Sequence, residues 1–91
     1  MKSRTIITVL GKDQKGIIAK VCTYLSDNGI NILDINQTIV NGFFNMMMIV
    51  DMKDVEKDFS VINSELDELG KSIGVKVEAQ REDIFDMMHR I

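Results

Sequence analysis

Gly11-Lys12-Asp13-Gln14-Lys15-Gly16-Ile17 and Gly29-Ile30-Asn31-Ile32 decide how this chain folds. The first stretch takes an apolar strand into a loop and then into a helix. Asp13 has the side chain of an N-cap, its carboxylate within reach of the Gly16 N–H three residues on. Ile17, Ile18, Val21, Cys22 and Leu25 recur at helical spacing, and Asn28-Gly29 supplies a left-handed stop. Asn31 then opens a second strand. The expected result is a corner where free N–H groups of a helix start lie near a polar strand side chain. A corner of that kind can hold a small zwitterion such as an amino acid. Nothing else in the chain has the look of a chemical site.

Outward from these stretches the elements follow one another clearly. Arg4 to Leu10 is β-branched and apolar on both faces, the mark of a strand covered on two sides. Ile30 to Val40 is a second strand whose apolar phase slips between Ile32 and Leu33, which predicts a bulge. Asn41-Gly42 is the strongest two-residue hairpin signal. It leads into Phe43 to Met52, with Phe44, Met46, Met48, Val50 and Met52 on one face and Phe43, Met47 and Ile49 on the other. Asp58 or Ser60 can cap a second helix carrying the stripe Phe59, Ile62, Leu66, Leu69 and Ile73, with Gly74 as its terminator. Gly70 inside that stripe is expected to weaken the helix by roughly 1 kcal/mol against Ala. Val75 to Arg81 alternates dry and wet, as an edge strand does. Residues 82–91 read as a short amphipathic helix or turn, with Ile84, Phe85, Met88 and Ile91 apolar.

The order β-α-β-β-α-β with right-handed crossovers selects an α+β, ferredoxin-like sandwich. Its antiparallel sheet runs 4-1-3-2, both helices lie on one face, and a short C-terminal helix follows. Residues 1–91 form a single domain, of which 82–91 is the tail. Strands one and three carry apolar side chains on the uncovered face too. Either the segment Ile84–Ile91 or a second copy of the chain must cover them, and a homodimer is the expected answer. The methionines at 46, 47, 48 and 52 suit a surface that repacks, although core filling explains them as well.

Composition narrows the chemistry. The chain has 91 residues, a net charge of −3, one cysteine and no proline. A chain this size buries roughly 60–65% of its surface on folding, so a partner copy would add stability. The acidic balance argues against nucleic acid and anionic membrane as partners. A lone cysteine and the absence of a signal-like or spanning stretch point to a cytoplasmic protein. Gly11 and Gly16 have phosphate-loop spacing, but Ile17-Ile18 stand where Lys and Ser or Thr are needed. One His and one Cys far apart make no metal site, and no cofactor is called for. Cys22 reads as an inert core thiol and His89 as an exposed tail residue. The acidic pairs Asp67-Glu68 and Glu82-Asp83 read as solvated surface. Tyr24, Phe43 and Phe44 lack the basic surround of a base-stacking sheet. An acylphosphatase of this fold would need an Arg in its phosphate loop, where only lysines occur.

These features together, across essentially the whole chain, resemble an ACT domain: a strand, Gly11-Lys12-Asp13-x-x-Gly16-Ile17, a helix, Gly29-Ile30-Asn31-Ile32 and a hairpin. The nearest resemblance is to small stand-alone ACT proteins, similar to the ACT halves of glycine-cleavage repressor proteins. Lys15 departs from the proline usual there. Loop position Gly11 also lacks the polar side chain of serine-binding members. The resemblance implies a non-catalytic regulatory module that binds an amino acid or similar small molecule at a dimer interface through Asp13, Gly16, Ile17 and Asn31. A protein–protein interaction subunit with no small ligand is the alternative.

Overall fold

In a computed structural model, which describes residues 4–12 and 14–82, strand β1 (Arg4–Lys12) leads to helix α1 (Ile17–Asp27) and strand β2 (Asn31–Val40). Strand β3 (Phe43–Asp51), helix α2 (Phe59–Ile73) and strand β4 (Val75–Arg81) follow. The sheet order is β2-β3-β1-β4, the expected 4-1-3-2, and β1 is antiparallel to both β3 and β4. The tail, Asp83 to Ile91, lies outside the described residues.

Local chemistry explains the joints. Asn41 and Gly42 both have positive φ, 52° and 81°, as a type I′ hairpin turn requires. The bulge falls where the phase slips: Ile32 pairs with Val50 and Asp34 with Ile49, leaving Leu33 extra. Helix α1 ends in a Schellman motif, with Ile30 N–H donating to the Leu25 carbonyl at 2.9 Å and Gly29 N–H to Ser26 at 3.1 Å. Gly29, at φ 71°, supplies the left-handed residue. Gly74, at φ 76°, does the same for α2.

The core lies between the helices and one sheet face. Ile7, Val9, Phe44, Met46, Met48, Val50, Val77 and Ala79 point up from the sheet, and Ile17, Val21, Leu25, Ile62 and Leu66 point down. The α1 stripe is narrower than its sequence suggests. Ile18 is 37% exposed and Cys22 only half-buried, because both turn away from the core onto one flank. The opposite flank meets α2, where the Tyr24 hydroxyl donates to Glu65 Oε1 at 2.6 Å and Lys57 Nζ to the same oxygen at 2.9 Å. Burial, and then the Glu65 carboxylate, push the Tyr24 phenol upward. The bonds from Tyr24 and Lys57 hold Glu65 low.

Two glycines act differently from their sequence reading. Gly11 is not a loop residue: it lies in β1, paired with Phe44 and Val75. A Cβ there would meet Val75 Cγ1 at 2.7 Å, so no side chain fits. Gly70 is buried where α2 crosses β4, and a Cβ on it would lie 2.6 Å from the Val75 carbonyl oxygen. It permits close approach and is not a weak point.

Candidate functional site

Helix α1 starts at Ile17, and its boundary residue is Gly16 in the left-handed region at φ 91°, not Asp13. Asp13 lies outside the described residues. Among the described residues no side chain caps the helix, and its first N–H groups have no partner within the helix itself. Only glycine takes this backbone without strain. Ile17 is 2% exposed with its side chain in the core, so it can offer only its backbone. The Gln14 side-chain amide donates to the Ile73 carbonyl and ties the loop to the end of α2. Sequence reasoning missed this anchor, since a partner 59 residues away leaves no local signal.

Asn31 is exposed and is the first residue of β2. It pairs with Asp51, which pairs with Arg4 at the start of β1. Gly16 follows the other end of β1, where Lys12 pairs with Phe43 and Phe43 with Val40. Within one chain, then, the expected corner does not form. The two polar features sit at opposite ends of the sheet, separated by the 11 residues of α1, about 16 Å of helix. Asn31 opens β2, the last strand of the sheet, and Gly16 follows β1 at the end where β2 closes on Val40.

The two sheet edges differ. On β4, Asn63 Oδ1 accepts from the Ala79 N–H at 3.2 Å, so a side chain occupies an outward backbone donor. Such blocking protects an edge from pairing with another strand. On β2 the Ile35 N–H donates to the carboxylate of its neighbour Asp34 at 2.8 Å, a bond within the strand itself, and nearly every residue is exposed. Ile35 and Ile39, 43% and 59% exposed, lie on the helix-facing side of the sheet, opposite Met48 and Phe44, yet the helices leave them uncovered. The sheet order held the signal for this apolar margin, since an edge strand outside both helices leaves its inner face bare.

Among the described residues no three His, Cys, Asp or Glu side chains gather as metal ligands. None of the described helices is long and apolar enough to cross a membrane.

Comparison with known proteins agrees with this architecture. The ACT domain family pattern matches residues 3–80. A UPF0237 protein of Bifidobacterium longum is 56% identical over 89 residues, which is 98% of this chain and 99% of its own. An ACT domain protein from Streptococcus pneumoniae superposes with a TM-score of 0.82 at 37% identity, covering 94% of this chain and 97% of that one. A candidate glycine cleavage system transcriptional repressor shares the fold, with a TM-score of 0.75 at 22% identity over 86% of this chain and 44% of its own. With its βαββαβ order, its sheet order and these matches over nearly its full length, the chain belongs to the ACT domain family.

Proposed function

We propose that this protein is a non-catalytic, cytoplasmic regulatory module that binds an amino acid as a two-fold homodimer joined along β2. What supports the reading is that β2 ends the sheet, with Asn31 at its start and the turn before α1 toward its Val40 end. Antiparallel pairing of β2 with β2 of a second copy reverses one strand against the other. Each chain's Asn31 then comes to the other's Gly16 loop, and Ile18, Ile35 and Ile39 leave water. The positive end of α1 and the N–H groups of its first turn attract a carboxylate. Asn31 offers an acceptor to an ammonium group and a donor to a carboxylate. Asp13 and the Ile17 backbone complete the proposed set.

A thermal-shift screen of the standard amino acids tests the ligand. At least one is expected to raise the melting temperature by mass action, and Asn31→Ala is expected to remove that shift with circular dichroism unchanged. Silence from the whole panel at millimolar concentration rejects amino-acid sensing and favours an interaction subunit without a ligand.

The dimer has its own test. Cys22 is the middle residue of the 11 in α1 and lies on the flank away from α2. A two-fold axis relating antiparallel α1 helices brings it opposite its own copy. A short bismaleimide is expected to trap a covalent dimer in the native protein and none in Cys22→Ser. Sedimentation as a monomer at micromolar concentration rejects the pairing.

A further inference from the structure

A hollow of about 240 Å³ opens on the sheet face away from the helices, and five side chains line it: Thr8, Asn36, Thr38, Asn45 and Met47. The strand register puts them together. Met47 of β3 pairs with Thr8 of β1 on one side and with Asn36 of β2 on the other, and Asn45 pairs with Thr38. Their chain neighbours Ile7, Val9, Met46 and Met48 belong to the core. Successive side chains point to opposite faces of a sheet, so the five point away from the core. Asn36 and Asn45 are diagonal neighbours on adjacent strands, about 7–8 Å apart. Met47, 42% exposed, stands beside both.

Folding does not account for this group. Asparagine is depleted in strands, yet two asparagines stand here in mid-strand. Among the described residues, none of the four polar side chains has a hydrogen-bond partner. No charged side chain lines the hollow. Glu78, next to Thr8 on β4, pairs with Lys76 at 3.8 Å. The Asp34 carboxylate accepts from the Ile35 N–H at 2.8 Å.

That lining selects an uncharged ligand, since nothing in it offsets the cost of drying a phosphate, a carboxylate or an ammonium group. A carboxamide presents a donor and an acceptor in one plane. It matches a flat edge with an acceptor beside a donor, as when asparagine pairs with adenine. A sugar has no such planar edge. The two threonine hydroxyls can each donate or accept, and the Met47 thioether suits contact with an aromatic ring. Leu10 and Phe43, each 54% exposed, extend the apolar surface on the same face. The volume is that of about eight waters, room for one flat ring system.

We propose that this face binds an uncharged nucleobase or its nucleoside, with Asn36 and Asn45 reading the base edge and Met47 against the ring. The site shares no residue with the proposed amino-acid site and does not depend on it.

Nuclear magnetic resonance of isotope-labelled methionine methyls tests this in the full chain, with Met47→Leu assigning the Met47 signal. The probes are adenosine, guanosine, cytidine, uridine, adenine and uracil at millimolar concentration, and glucose as an uncharged control. At least one base or nucleoside is expected to move the Met47 methyl saturably, and glucose is expected not to. Asn36→Ala with Asn45→Ala should weaken that binding about tenfold or more. Asn45→Asp, which keeps the shape and loses the amide donor, should weaken it too, with circular dichroism native in both. A Met47 methyl that no base or nucleoside moves overturns the proposal, as does an unchanged affinity in the folded double variant. Movement by glucose alone overturns the ligand class. A single-stranded oligonucleotide that binds more tightly than its nucleosides, with an affinity that falls steeply with salt, identifies a nucleic-acid surface and overturns it as well.

Discussion

Replacing Gly70 by Ala is expected to cost about 2 kcal/mol or more of folding stability, a fall of roughly 8–15 °C in melting temperature for a domain of this size. In an isolated helix the same change would help by about 1 kcal/mol. The sign reverses because α2 lies directly on β4. An added methyl would sit 2.6 Å from the Val75 carbonyl oxygen, 2.9 Å from Val77 Cγ2 and 3.2 Å from the Val77 nitrogen. Two of these are backbone atoms of a paired strand and cannot turn aside as a flexible side chain would. The helix must lift, and Ile62 and Leu66, both fully buried on the same stripe, lift with it. Gly29→Ala is the control. Nothing lies within 4 Å of a Cβ there, so only the strain of φ 71° is added, about 1–2 kcal/mol. Chemical denaturation of both variants decides the matter. A Gly70→Ala protein as stable as the parent, or more so, would show that α2 and β4 are not in this close contact.

That glycine marks the boundary of what the sequence could tell. Elements fixed by neighbours in the chain were readable: the Asn41-Gly42 hairpin, the stop at Asn28-Gly29, the phase slip at Leu33 and the alternation of β4. Their causes are local backbone preference and periodicity. The sheet order was readable too, since dry strands must be central and a one-sided strand must be an edge. What could not be read depends on contacts between distant segments. Gly11 looked like loop because glycine weakens strands, yet it lies in β1 because Val75 leaves no room for a side chain. Ile18 and Cys22 looked like core because helical spacing allows a wide stripe, whereas the crossing of α1 over the sheet buries only Ile17, Val21 and Leu25. Gly16 and Asn31 looked like neighbours because each borders α1. A helix separates its ends by its own length, so one chain alone cannot bring them together.

The largest functional effect should come from Ile35→Lys with Ile39→Lys. Both side chains lie on the helix-facing side of β2, 43% and 59% exposed, outside the cover of α1 and α2. In the single chain the change touches little that is packed, and lysines are tolerated on edge strands. In a dimer joined through β2 it places four positive charges about one two-fold axis and removes the apolar area that the pairing would bury. Like charges forced together at an interface cost several kcal/mol, so the dimer dissociation constant should rise at least ~100-fold. The double variant should sediment as a folded monomer at micromolar concentration, and the bismaleimide should no longer link Cys22 to its copy. It should also lose the amino-acid shift in melting temperature, although neither substituted residue belongs to the proposed ligand set. That coupled loss is the discriminating result. An Asn31 that served its own chain's Gly16 would leave the response intact in a monomer, but helix α1 stands between them. A variant that dissociates yet still answers the amino acid would place the whole site within one chain. A variant that remains dimeric and responsive would move the subunit contact away from β2.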